Sequence, residues 1–298
     1  MLVSVVLALL TSLSNATASV LQRRAASEAS PSRSMHLSLI AELARRKVWL
    51  AGIGLVIVAA LFQAGALATG PIALVQPIFI IELPLAILLG SFVMHRRIPS
   101  RIWLAVAAVT VALGTGLAAA QPGGGTDHAS NGLWVLALIA VGGFEVVAIS
   151  AALRFAGEPR AALLGLAAAC GYALTAALLK EAVAALDRGP AAFFTTWQLY
   201  ATAAAGLGAL FLLQNALQAG TLVASQPMLT VGDALISISL GVVLFDENVR
   251  TGWWLPLEIV CLAVIVLGCV EIAKSDLVGA GGERQPGAQV PSPAADVG

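Results

Sequence analysis

Residues Ala66 to Gly90 read A-L-A-T-G-P-I-A-L-V-Q-P-I-F-I-I-E-L-P-L-A-I-L-L-G. The stretch is apolar and long enough to cross a bilayer, which takes roughly 20 residues. It nevertheless holds Gln76, Pro77, Glu82 and Pro84 in its interior. Ala216 to Gly241 repeats it. Ala66, Leu67, Gly70, Gln76 and Pro77 recur as Ala216, Leu217, Gly220, Gln226 and Pro227. Past the proline the register slips by one, so that Glu82 answers to Asp233, Gly90 to Gly241 and Trp103 to Trp254. Two copies of a proline-bearing apolar segment, each followed by an acid at membrane depth, read first as a transporter.

The rest of the chain supports a membrane setting. Of its 298 residues 59% are hydrophobic and only 11% charged, whereas a soluble domain carries about a quarter charged residues. So few charges cannot dress a soluble surface of this size. The formal net charge is zero, which gives no bulk signal for nucleic acid. Cys170, Cys261 and Cys269 fall inside apolar runs and read as small packing residues rather than a disulfide framework. His36, His95 and His128 sit in polar connections, and no Cys/His spacing suggests zinc.

Apolar runs of bilayer length fall at about 2–21, 48–68, 72–94, 102–120, 132–153, 161–182, 192–213, 221–245 and 253–273. The sixth is rich in small residues and is the least hydrophobic of them. The expected fold class is an all-α polytopic bundle of about nine transmembrane helices. Met1 to Leu21 lacks the basic start of a secretory signal and is read as a retained first span.

The connections sort by charge. The first holds Arg23, Arg24, Arg33, Arg45, Arg46 and Lys47, the third Arg96, Arg97 and Arg101, and the fifth Arg154 and Arg160. The second and fourth have no Lys or Arg; the sixth has Lys180 and Arg188, and the eighth Arg250. The uncharged seventh, Gln214 to Gly220, is neutral in this argument. By the positive-inside rule the N-terminus is expected outside and the C-terminus in the cytoplasm of a multi-pass plasma-membrane protein.

A weaker similarity joins Ala16 to Gln22 (A-T-A-S-V-L-Q, then Arg23) with Ala173 to Leu179 (A-L-T-A-A-L-L, then Lys180). Helices 1–4 (residues 1–131) then repeat as helices 6–9 (161–275), with helix 5 (132–160) as connector. Five spans separate equivalent helices. An odd number reverses direction, so an inverted internal repeat is expected. Residues Met35 to Lys47 suit either a short basic helix on the membrane surface or a solvated loop. Residues 276–298, rich in Gly, Pro, Ala and Ser, are expected to be a disordered cytoplasmic tail.

Three acids, Glu82, Glu145 and Asp233, fall near the centres of spans. An ionised acid there costs roughly 2.5–3.5 kcal/mol on insertion scales. Protonation, a wet cavity or a bound cation can offset that cost, and each points to proton or cation handling. The bland reading is a protonated acid bonded to a neighbouring helix. Pro77, Pro84 and Pro227 remove backbone donors, and the freed carbonyls need protein or water beside them. They are the expected hinges, against the bland reading of plain kinks. Gln76 and Gln226 are placed to serve those carbonyls or a ligand. Asn15, Ser14, Ser19, Tyr172 and Thr175 are candidate cavity residues, though Ser and Thr also bond their own helix. Gly52 and Gly54, Gly114 and Gly116, and Gly206 and Gly208 read as close-packing positions. No phosphate loop, nucleophile–base cluster or i, i+4 metal pair is present, so neither an enzyme nor a cofactor is expected.

These features resemble the drug/metabolite transporter (EamA-like) superfamily. Leu240 to Gly268, with L-G-V-V-L-F-D-E-N-V-R-T-G-W-W, is similar to a glycine-bearing helix that ends in an acidic turn before a Trp/Gly-led helix. A-S-V-L-Q-R-R, L-V-Q-P and A-S-Q-P look closest to the branch of NIPA-type magnesium transporters and their bacterial relatives. The resemblance covers about residues 1–275 and implies an inverted-repeat bundle around a central cavity. The chain departs from it in lacking a tenth helix and in reading His95-Arg96-Arg97 where an acid is common.

The resulting expectation is a secondary transporter working by alternating access, with its cavity between helices 1, 3, 6 and 8. Glu82 and Asp233 would bind a cation such as magnesium, or protons in exchange for a small polar metabolite. Gln76, Gln226, Asn15, Tyr172 and Glu145 are the further ligand candidates. Expected partners are the lipid bilayer and the solute or cation, not nucleic acid, and a homodimer is compatible. The rival is a non-transporting assembly or sensor protein whose acids pair helices.

Overall fold

A computed structural model of the chain describes residues 1–27, 47–94 and 97–274. The surface segment considered at 35–46 and the tail beyond residue 275 lie outside the described residues.

The protein is a multi-pass, membrane-embedded helical bundle. Its helices are α1 (Leu2–Ser27), α2 (Lys47–Thr69), α3 (Ile72–Ile78), α4 (Glu82–Met94), α5 (Ser100–Ala120), α6 (Asn131–Ala152), α7 (Glu158–Ala184), α8 (Pro190–Thr195), α9 (Trp197–Ala219), α10 (Leu222–Phe245) and α11 (Leu255–Ala273). The turn Phe79–Ile81, a 3-10 helix, joins α3 to α4 into one span. Among the described residues nine spans are long and apolar enough to cross a membrane.

Local chemistry sets several boundaries. Pro71 and Pro99 stand just before α3 and α5, and proline falls in the first turns of α7 and α11, where its missing N–H would be unpaired anyway. Ser130 caps α6 by accepting from the Leu133 backbone N–H at 3.3 Å. Gln121 and Asp246, both left-handed (φ 39° and 53°), terminate α5 and α10. There the chain turns into β1 (Gly123–Gly124) and β2 (Glu247–Asn248). These pair antiparallel, Gly123 opposite Asn248 and Gly124 opposite Glu247.

The seventh span differs from the sequence reading by about five residues. Extended backbone at Thr196 (φ −73°, ψ 135°) separates α8 from α9. α9 then continues through Gln214 to Ala219, so the connection read as Gln214 to Gly220 is reduced to Gly220 and Thr221. The sixth span, read as the least hydrophobic, is more apolar than the seventh and is the most buried. Its small residues explain this. α7 packs against α6, α9 and α10, and Ala161, Ala167, Ala168, Ala169, Ala173 and Ala176 are fully buried. A Cβ on Gly165 would lie 2.7 Å from the Ser225 carbonyl oxygen, and one on Gly171 2.7 Å from Ala209 Cβ. Of the paired glycines, Gly52, Gly116 and Gly206 face neighbouring helices, while Gly54, Gly114 and Gly208 face open space.

The two proline-bearing segments are not equally broken. Pro77 is followed by the 3-10 turn, whereas Pro227 lies inside an uninterrupted α10. The two copies thus differ in winding, and the reason is length. Four residues separate Pro77 from Glu82, and five separate Pro227 from Asp233. A 3-10 turn rises about 2.0 Å per residue against about 1.5 Å in an α-helix, which places each acid roughly 9 Å beyond its proline.

Packing follows a regular pattern. α1 lies along α2 and against the α3–α4 span, and α7 lies along α9 and against α10. α5 packs on α11, and α3 on α10. Glu247, just past the end of α10, bonds the first N–H groups of α3, so these two segments run in opposite directions. Two ends of the bundle follow from this. A polar end gathers residues 70–72, 121–130, 185–196 and 246–250, and a far end holds the finish of α1 and α4 and the start of α10.

Candidate functional site

A cavity of about 780 Å³ lies among α1, α2, the α3–α4 span, α7, α9 and α10. Glu82, Asp233, Gln76, Gln226, Asn15 and Tyr172 all line it. The expected walls, spans 1, 3, 6 and 8, are present, joined by spans 2 and 7 through Val56, Gln63, Leu210 and Leu217. Glu82 opens α4 immediately after the 3-10 turn, and Asp233 sits midway along α10, each facing the space the two segments share.

The two acids are half-buried. Asn15 Nδ2 donates to Glu82 Oε2 at 3.3 Å, and Ser237 Oγ donates to Asp233 Oδ1 at 3.3 Å. Gln76 is buried and Gln226 half-buried. Among the described residues no Lys, Arg or His lines the cavity, while Phe79, Ile80, Leu83, Leu213 and Leu229 give it apolar walls. The arrangement can therefore hold a positive charge or a proton on either acid, and hydrogen-bond a polar body through the amides.

Other expected residues stand elsewhere. Glu145 is on α6, half-buried, and outside the cavity lining. Pro77, Pro84 and Pro227 are buried in the packing behind it rather than lining it. Among the described residues no group of three or more His, Cys, Asp or Glu side chains is placed to hold a metal ion. Thr11, Ser12 and Thr175 hydroxyls donate to carbonyls of their own helices. Thr175 still lines the cavity, as does Ser19, while Ser14 is buried outside it.

Sequence reading missed Gln22, Gln63 and Thr230, which also line the cavity. A lone Gln63 within an apolar span was the available signal. It also missed a second polar cluster, at the polar end. Glu247 is 2% exposed. Its carboxylate accepts from the backbone N–H groups of Ile72 (2.7 Å) and Ala73 (2.8 Å) and meets Lys180 Nζ at 3.3 Å. Lys180, 4% exposed, also donates to the Gly70 carbonyl at 3.3 Å and lies 3.6 Å from Asp127 Oδ1. Next to it the Glu181 carboxylate accepts from Trp134 Nε1 (2.5 Å), Gln198 Nε2 (3.0 Å) and the Ala129 N–H (3.3 Å). Trp134 stands edge-on to Trp197 and Phe245.

Between the two clusters the helices are packed dry. Leu67, Ile72, Val75, Leu178, Leu244 and Phe245 form part of one buried apolar cluster on the polar-end side. The cavity lies on the other side of it and extends past Val20, Gln22, Gly90 and Leu217 toward the far end.

No family model and no solved structure matches the chain. An uncharacterized protein of Corynebacterium glutamicum is 25% identical over 291 residues, covering 95% of this chain and 99% of the relative. The similarity thus runs through all the spans from end to end.

Proposed function

We propose that the protein is a secondary transporter that carries a cationic solute across the membrane by alternating access, with Glu82 and Asp233 binding it or exchanging protons for it. One observation carries this reading: two acids from oppositely running segments line one cavity with five amide side chains and, among the described residues, no cationic side chain. Mid-membrane acids are costly unless a cavity, a proton or a cation relieves them, and here they share a cavity.

The packing pattern supports an inverted repeat of spans 1–4 in spans 6–9. Each contact in the first set has a counterpart in the second: 1 with 2 and 6 with 7, then 1 with 3 and 6 with 8. Spans 4 and 9, and 3 and 8, pair with each other across the relation. The resemblance to the drug/metabolite transporter superfamily points the same way. With the charge-derived orientation in a plasma membrane, the polar end lies outside and the cavity faces the cytoplasm.

The lining favours an organic cation over a stripped metal ion. Pockets of roughly 300–1,000 Å³ with apolar walls and a few polar groups suit small organic molecules. A magnesium ion that keeps its waters needs only one or two carboxylates, and the two acids present can supply those. Purified protein in proteoliposomes separates the cases. Proton-driven movement of organic ammonium solutes is the expected result. Uptake of labelled magnesium instead would replace the solute. No flux of either, with Glu82→Gln damaging assembly alone, would favour a non-transporting membrane protein whose acids pair helices.

A further inference from the structure

We propose that Glu247 is the latch of the polar-end gate: with Lys180 it grips the first turn of α3, and the transport cycle requires that grip to be released. This rests on the transporter reading and names the device that decides which side the cavity faces.

The geometry is that of a clasp between moving parts. Glu247 belongs to the connection after α10, while its two N–H donors open the span that carries Gln76, Pro77 and Glu82. The clasp is built to receive the carboxylate. Gly241 lies beneath it, and a Cβ there would collide with Glu247 Oε2. β1 and β2 hold Glu247 opposite Gly124, and Thr126 N–H donates to the Phe245 carbonyl at 2.6 Å beside it. The dry cluster of Leu67, Ile72, Val75 and Leu244 seals the space directly below. Ile72 belongs to both the seal and the clasp, so releasing Glu247 loosens the seal.

Lys180 has somewhere to go on release. Asp127 lies 3.6 Å from its Nζ and is 61% exposed, whereas the Glu247 side chain is fully buried. Lys180 can exchange a buried partner for a wet one without losing its ion pair, which gives the gate two arrangements of similar cost. Among the described residues the far end shows no such clasp. The first turn of α10, the counterpart of α3, is preceded by Thr221, whose side chain caps no backbone N–H there. Its hydroxyl instead meets Glu158 at 3.3 Å in an exposed position.

Accessibility tests this without requiring a known solute. A single Leu213→Cys in the cavity is placed in full-length protein whose Cys170, Cys261 and Cys269 are replaced by Ala. Reconstituted vesicles are then treated with a membrane-impermeant maleimide on one side or the other. The parent is expected to label from the far-end side. Glu247→Gln is expected to raise polar-end labelling about tenfold, the scale of a modest population shift. Lys180→Met shifts it in the same direction. If Glu247→Gln fails to fold, Lys180→Met decides alone. Folded, monodisperse variants that label from one side at the parent rate overturn the proposal and leave Glu247 a structural anchor. Failure of the transporter reading looks different: sidedness shifts as expected while no solute moves.

Discussion

The first turns of α3 and α10 descend from similar sequence and are held in opposite ways. At α3 two N–H groups end on a buried carboxylate that is itself paired with a buried lysine. At α10 the corresponding turn begins at Thr221 with no side-chain cap. A repeated segment supplies two equivalent gates in principle. On the proposed transport reading, unequal caps decide which of them is closed at rest. The polar residues shared by the copies line the cavity, while the unshared Glu247 beyond one copy holds the first turn of the other.

The largest expected effects fall on what the copies share. Glu82→Gln or Asp233→Asn should lower solute flux in proteoliposomes by about a hundredfold or more, as loss of a required charge contact does, with the protein still monodisperse in detergent. Retained flux in both would end the shared-cavity account. Next come the unequal caps. Glu247→Ala leaves two buried N–H groups and a buried Lys180 without their acceptor and should cost about 3–5 kcal/mol in thermal unfolding. Thr221→Ala, at the exposed counterpart, should stay within about 0.5 kcal/mol.

The glycines sharpen the same contrast on a smaller scale. Gly241→Ala drives a methyl into Glu247 and should destabilise by about 1–3 kcal/mol. Its repeat partner Gly90 would bring a Cβ only to ordinary contact, 3.7 Å from Val20 Cγ2. Gly90→Ala should therefore be near neutral or slightly stabilising, by up to about 1 kcal/mol from helix propensity. Equal effects in a melting series would mean that the two ends are not held differently. The smallest effect is expected from inserting one alanine after Phe79. The 3-10 turn should relax to α-helix and leave Glu82 in the cavity, read as flux within about threefold of the parent, a change of ~0.6 kcal/mol.

Much of this was legible because bilayer solvation is a severe constraint. Run length alone located the spans, and the cost of Glu82 and Asp233 at membrane depth marked them for the cavity they line. Hydropathy placed α7 among the apolar spans but did not show that its small residues permit the close backbone approach a central helix needs. It also misplaced the start of α9, where one extended residue, Thr196, outweighs the apolar run around it. Glu145 satisfied the same depth argument yet lies off the cavity, since depth says nothing about which way a helix faces. Glu247 was hidden for the opposite reason. D-E-N-V-R reads as a solvated turn, and only the β1–β2 pairing turns one of its acids inward. Pro227 shows that a proline near a helix start need not break it, whereas the shorter connection after Pro77 forces a change of winding.

That tighter winding has a consequence for how such chains tolerate loss. A surface loop can shed a residue and close over the gap, but a helix spanning lipid has no slack at either end. By coiling three residues more steeply, the first copy makes up the missing height where it occurs. The one-residue difference between the copies is absorbed at mid-bilayer, and the two acids keep their levels.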